Sequence, residues 1–129
     1  MQIAIIASDA KKELMTQFCI AYRGVLSRHS LCSTAITGKY VSEAAGLKIE
    51  RLLSGEQGGS EQIALRIAYD EIDVLLYFRD TNSDFTETDI RIFNLCDSHN
   101  VPYATNLGSA EAIILALDRG DLDWRTLLK

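Results

Sequence analysis

Proline occurs once in this chain, as Pro102, and histidine only twice, as His29 and His99. Three cysteines, Cys19, Cys32 and Cys96, stand far apart with no C-x-x-C pair. That spacing excludes a disulfide framework and the usual zinc sites, and reads as three small buried apolar groups in a reduced, cytoplasmic compartment. One proline and eight glycines in 129 residues exclude a collagenous chain or a disordered linker. No apolar run approaches the ~20 residues of a membrane span. Residues 1–8 lack a basic flank and turn polar too early for a signal peptide. Positive charge is also short. Lys and Arg number 13 against 18 Asp and Glu, a net charge of −5, with no basic cluster. Phosphate neutralisation supplies most nucleic-acid affinity, so neither nucleic acid nor a membrane is an expected partner.

What is present is an ordinary globular mix, 47% apolar and 24% charged, arranged in alternating patterns. Residues 2–7 are apolar after the first, the signature of a strand covered on both faces. Residues 11–28 carry Leu14, Phe18, Ala21, Tyr22, Val25 and Leu26 at helical spacing. A strand is expected at 31–35, a short helix at 38–45, a strand at 49–53 and a helix at 60–69. The five apolar residues 74–78 give the clearest strand. A helix at 87–99 follows, with Ile90, Phe93 and Asp97 at helical spacing and Ile92, Leu95 and Cys96 widening the buried face. Pro102 opens a strand through residue 105, and a last helix spans 109–119 before Gly120. This order, strand then helix repeated five times, predicts a three-layer α/β domain: a doubly wound, mostly parallel five-stranded sheet. Residues 1–129 read as one domain.

In such sheets ligands bind beyond the carboxyl ends of the strands. The loops there are Ser8-Asp9-Ala10-Lys11-Lys12, then 34–39, 54–60, 79–82 and 106–109. They are rich in glycine, hydroxyls and helix-starting residues. Backbone amides and helix N-termini at such loops favour an anion. Ser, Thr, Asp and Asn are also the ordinary helix-capping residues, so each loop taken singly reads either way. Both histidines precede strands, at the opposite edge, and no cysteine lies in these loops. A Cys–His or Ser–His dyad or a zinc site has no components there. Acid–base chemistry would fall to Asp9, Glu56, Glu61, Asp80, Asp84, Glu87 or Asp89, with Lys11 or Lys12 as cations. No loop fits the Walker or G-x-G-x-x-G pattern.

Segments 3–12, 34–38, 53–60, 72–80 and 101–106 resemble methylglyoxal synthase, in order and over nearly the whole chain. The most specific pieces are Leu53-Ser54-Gly55 followed by Gly58-Gly59, Ile72-Asp73-Val74-Leu75 leading into Phe78 and Asp80, and Pro102 with Ala104-Thr105-Asn106. The resemblance implies a cytoplasmic α/β lyase, usually a homohexamer. Such a lyase eliminates phosphate from dihydroxyacetone phosphate with neither metal nor organic cofactor. It also implies a phosphate site: Lys12, Thr34, Thr37 and Gly38, with Ala35 and Ile36 replacing a glycine and a threonine, and the pair Ser54 and Gly55. Hydroxyls, backbone amides and one ammonium suit a dianion. On the catalytic side the chain departs from the family pattern. Ser60 stands at the aspartate base. Ser8, beside the retained Asp9, and Thr86, across a one-residue deletion, stand at two histidines. Asp80 and Asp89 match family aspartates. General-base catalysis contributes ~10²–10⁴-fold in rate, so these replacements matter.

Two functions are therefore expected to compete. One is a pocket for phosphate or a triose phosphate without efficient lyase activity. The other is an active lyase that recruits Asp9, Glu61 or Asp89. A third reading is a subunit that assembles with other copies or with an active paralogue.

Overall fold

The computed structural model describes residues 1–128. Strands β1 (Gln2–Ala7), β2 (Ser30–Ser33), β3 (Glu50–Arg51), β4 (Val74–Phe78) and β5 (Tyr103–Ala104) pair in the order β3-β2-β1-β4-β5. Every pairing is parallel, so the sheet is wholly rather than mostly parallel. Between the strands run α1 (Lys12–Ala21), a short continuation α2 (Arg23–Leu26), α3 (Ala35–Ala45), α4 (Gly59–Ala68) and α5 (Glu87–Ser98); α6 (Leu107–Arg119) follows β5.

Side-chain alternation along the strands builds two cores. Ile3, Ile5, Val74, Leu76 and Phe78 face α1, α3 and α6, against Met15, Phe18, Val41, Ala110 and Ile114. Ala4, Ile6 and Leu75 face α4 and α5, against Ile63, Ile67, Ile92 and Cys96. The sheet is thus covered on both sides, which is why its central strands are continuous apolar runs. Among the described residues, no helix is long and apolar enough to cross a membrane.

Element types match the expectation and several boundaries differ. The helix expected over 11–28 breaks at Tyr22, where φ and ψ are −106° and 22°, two residues before Gly24, a poor helix former. Strand β2 stops at Ser33, and α3 starts at Ala35 rather than 38. Thr34 is extended, and the Ala35 amide donates to the Leu53 carbonyl at 3.1 Å, so the chain turns into the helix at once. Strand β3 keeps only two residues, because Leu53 peels away and its amide donates to the Gln62 side chain at 2.9 Å. On α5 the buried stripe is Asp89, Ile92 and Cys96, whereas Ile90 is half exposed. All three cysteines are buried. Burial pushes the Cys19 and Cys96 thiols up to about 12 and Cys32 to about 11, so neutral pH leaves almost no thiolate.

The amino edge of the sheet is tied by Arg125, which lies in a C-terminal turn, Asp123–Leu128, and is 2% exposed. Its Nε donates to Asp73 Oδ1 at 3.4 Å, and its terminal nitrogens donate to the carbonyls of Ile72, His99 and Asn100. Asp73 Oδ2 in turn accepts from the Gln2 amide at 2.8 Å. One guanidinium therefore gathers the segments that enter β4 and β5, and through Asp73 the start of β1. His29 and His99 lie at this same edge, remote from the carboxyl ends. His99 Nδ1 is 2.7 Å from the Asp70 carboxylate.

Candidate functional site

The strand order reverses direction between β1 and β4, since β2 and β3 extend one way and β5 the other. Loops leaving the carboxyl ends of β1 and β4 diverge there and leave a crevice, the usual ligand position in open parallel sheets. A cavity of about 580 Å³ occupies it. Helices α3, α4 and α5 begin at this edge, each directing free amides and the positive end of its dipole the same way, and α1 runs on from a single 3-10 turn, Asp9–Lys11, at the same edge. The cavity has two walls, because α1 and α3 pack on one face of the sheet and α4 and α5 on the other.

The first wall carries Ser8, Asp9, Lys12, Thr34, Ile36 and Thr37. Lys12 Nζ, on a side chain only 17% exposed, donates to the Ala7 carbonyl at 3.0 Å and to Asp9 Oδ1 at 2.7 Å. An ammonium has three donors, so one remains for a ligand. Asp9 is 97% exposed, and the hydrogen bond and charge of Lys12 hold its carboxyl below the usual range. A carboxylate stabilised in this way is a weaker proton acceptor. Thr37 Oγ1 also approaches the Ala7 carbonyl, at 3.5 Å. Thr34 and Thr37, three residues apart at the start of α3, share the face turned to the cavity. Ala35 and Gly38, expected with them, do not line it. Their segment is helical rather than a loop, and Gly38 turns to the sheet edge, where a Cβ would meet Arg51 Cγ at 2.8 Å.

The floor is the segment Ser54, Gly55 and Glu56. Two glycines hold it, for different reasons. Gly58 has φ +103°, a conformation open to glycine. Gly59 has no room for a side chain: a Cβ there would stand 2.0 Å from the Leu53 carbonyl oxygen and 2.9 Å from that of Ser54. This close approach is locked by the Gly59 amide, which donates to the Ser54 carbonyl at 2.8 Å. Gly59→Ala is expected to destabilise the fold by about 3 kcal/mol, the upper end for overpacking, because backbone must move. Urea unfolding checks this, and a loss under about 1 kcal/mol counts against the close approach.

The second wall carries Ser60, Glu61, Tyr77, Thr86, Thr88 and Asp89. Ser60 lies in the first turn of α4, its Oγ 3.6 Å from the position a Cβ on Gly55 would take. Thr86 caps α5 reciprocally with Asp89. The Asp89 amide donates to Thr86 Oγ1, and the Thr86 amide to Asp89 Oδ2, each at 3.0 Å. Asp89 Oδ1 accepts from the Tyr77 hydroxyl at 2.8 Å. Burial first, and then this carboxylate, push the Tyr77 phenol up. Glu61 lines the cavity beside Ser60; its Oε1 accepts from the Thr88 hydroxyl at 2.9 Å and bridges the starts of α4 and α5. Asp80 does not line the cavity. Its amide donates to Ser8 Oγ at 3.1 Å, and its Oδ1 accepts from the Asn82 amide at 2.9 Å, so it shapes the turn after β4 and steadies Ser8.

Tyr77 and Thr88 were not among the residues expected from sequence. Strand alternation signals Tyr77: it shares a face with Leu75, toward α4 and α5, one residue from the carboxyl end of β4. Among the described residues no group of three His, Cys, Asp or Glu is gathered as metal ligands would be.

The fold and crevice define an α/β domain with a cavity at the sheet's switch point, a paired lysine and aspartate on one wall and two further carboxylates, Glu61 and Asp89, on the other. A family model for the MGS-like domain matches residues 15–105. The chain is 49% identical to methylglyoxal synthase of Caldicellulosiruptor saccharolyticus, over 99% of this chain and 92% of that protein. It is 46% identical to that of Clostridioides difficile, over 100% of this chain and 96% of the relative. The crystal structure of methylglyoxal synthase from Elizabethkingia anophelis superposes with a TM-score of 0.80 at 31% identity, covering 88% of this chain and 76% of that one. The chain belongs to the methylglyoxal-synthase-like family.

Proposed function

We propose that the cavity holds phosphate or a triose phosphate, and that the chain lacks efficient phosphate-eliminating activity on dihydroxyacetone phosphate. Lys12, the amide-rich starts of α3, α4 and α5, and the hydroxyls of Thr34, Thr37 and Ser54 supply the donors a phosphate dianion needs. The reaction further requires a base that takes a proton from the carbon beside the carbonyl while the carbon–oxygen bond to phosphate breaks. One observation carries the proposal: Ser60 lines the cavity where the family resemblance puts an aspartate base. A seryl hydroxyl needs a base of its own. The three carboxylates considered as substitute bases are already engaged, Asp9 by Lys12, Asp89 by Tyr77 and Thr86, and Glu61 by Thr88. Glu61 supports a second reading. It lines the same cavity beside Ser60, so an active lyase would use it before Asp9 or Asp89. The family resemblance also supports a homohexamer in the cytoplasm.

The test incubates the purified chain with dihydroxyacetone phosphate and follows methylglyoxal and phosphate release. No release above the uncatalysed rate is expected. Turnover that vanishes in Glu61→Gln establishes the second reading. For binding, inorganic phosphate is expected to raise Tm, following RT ln(1 + [L]/Kd), and Lys12→Ala to abolish the rise. A Tm indifferent to phosphate ends the phosphate reading.

A further inference from the structure

Resting on that phosphate reading, we infer that the site is bipartite and takes a phosphate monoester whose ester group is apolar or aromatic, larger than a triose. A second cavity of about 500 Å³ opens directly beside the first. The two share Asp9, Lys12 and Ile36, so a phosphate held by Lys12 stands at the mouth of both. The second cavity runs along the surface between α1 and α3, lined beyond the shared residues by Glu13, Thr16, Gln17 and Tyr40. Residues four apart follow one another along each helix, Lys12 and Thr16 on α1, Ile36 and Tyr40 on α3. The channel thus leads away from the sheet end by about one helical turn, ~5.4 Å.

Its chemistry differs from that of the first cavity. Ile36 and Tyr40 are 51% and 54% exposed, two large apolar surfaces side by side at the mouth. Thr16 donates its hydroxyl proton to the Lys12 carbonyl at 2.8 Å, so toward a ligand it offers only acceptor lone pairs and no donor for a phosphate or ester oxygen. Such a wall gains from covering by an apolar group and offers a ring face for stacking. A triose phosphate, with about ten non-hydrogen atoms, fits within the first cavity, which already lies in the roughly 300–1,000 Å³ range of small-molecule sites. It leaves the second cavity uncovered. An aryl or branched alkyl ester on the same phosphate covers Ile36 and Tyr40 without disturbing the phosphate contacts.

Titration calorimetry with inorganic phosphate, methyl phosphate and phenyl phosphate tests this. Phenyl phosphate is expected to bind about tenfold more tightly than methyl phosphate. Tyr40→Ala is expected to remove that advantage while leaving phosphate and methyl phosphate unchanged, and Tyr40→Phe, which keeps the ring, to retain it. Equal affinities for the two esters overturn the inference and leave the phosphate reading standing, as does an advantage that survives in Tyr40→Ala. If inorganic phosphate and methyl phosphate both fail to bind, the phosphate reading falls and the bipartite site falls with it.

Discussion

Ser60→Asp is expected to raise methylglyoxal release from dihydroxyacetone phosphate by about 10²-fold over the parent chain, the lower end of general-base contributions. The position suits a carboxylate. It lies in the first turn of α4, beside the glycine-walled floor at Gly55, where the helix dipole favours negative charge. The side chain is only one atom longer than serine and reaches the space Ser60 Oγ already borders. The gain stays at the low end because no histidine lines the cavity among the described residues, and the oxygens of the reacting substrate gain fewer donors than a histidine-bearing site would give them. A variant that still binds phosphate but gains no turnover sinks the idea that the residue at position 60 limits the chemistry.

The largest stability loss is expected at the opposite edge. Arg125→Met should lower folding stability by about 3–5 kcal/mol, the range for breaking a buried ion pair, and move the urea midpoint down accordingly. The guanidinium reaches one carboxylate and three backbone carbonyls, on the segments entering β4 and β5. Methionine fills much of the volume and satisfies none of them. Arg125→Lys should recover little, because a point ammonium cannot span acceptors that a planar fork reaches together. Phosphate binding at temperatures where the variant remains folded should be unchanged, since the cavity lies at the far end of the strands. A loss below about 1 kcal/mol in Arg125→Met means that these bonds merely replace equally good ones to water.

The alternation of strands and helices was legible because burial on both faces leaves continuous apolar runs at 2–7 and 74–78, and because parallel strands demand crossovers. The same topology rule puts Lys12, Thr34, Thr37, Ser54, Gly55 and Ser60 at the ligand edge, and all six line the cavity. What sequence left open turns on tertiary partners. Helix α3 begins three residues early because the Ala35 amide meets the Leu53 carbonyl, and this rotates Ala35 and Gly38 off the cavity. Glu61 lines the cavity at its exposed rim, where Thr88, twenty-seven residues away, binds its carboxylate. Asp80 looked like an acid–base group, yet its carboxylate serves the turn that follows it. Tyr77 lies within an apolar run that by itself signals only a buried strand, although it supplies the donor that orients Asp89.

The two outermost strands, β3 and β5, contain two residues each. A sheet edge that brief presents almost no row of unpaired amides and carbonyls for another chain to copy, the commonest route to strand-by-strand aggregation. The long, apolar, readily templated strands β1 and β4 lie inside, flanked on both sides. The molecule thus keeps its most aggregation-prone sequence away from its borders, and its brief edges offer little for self-association by extending the sheet.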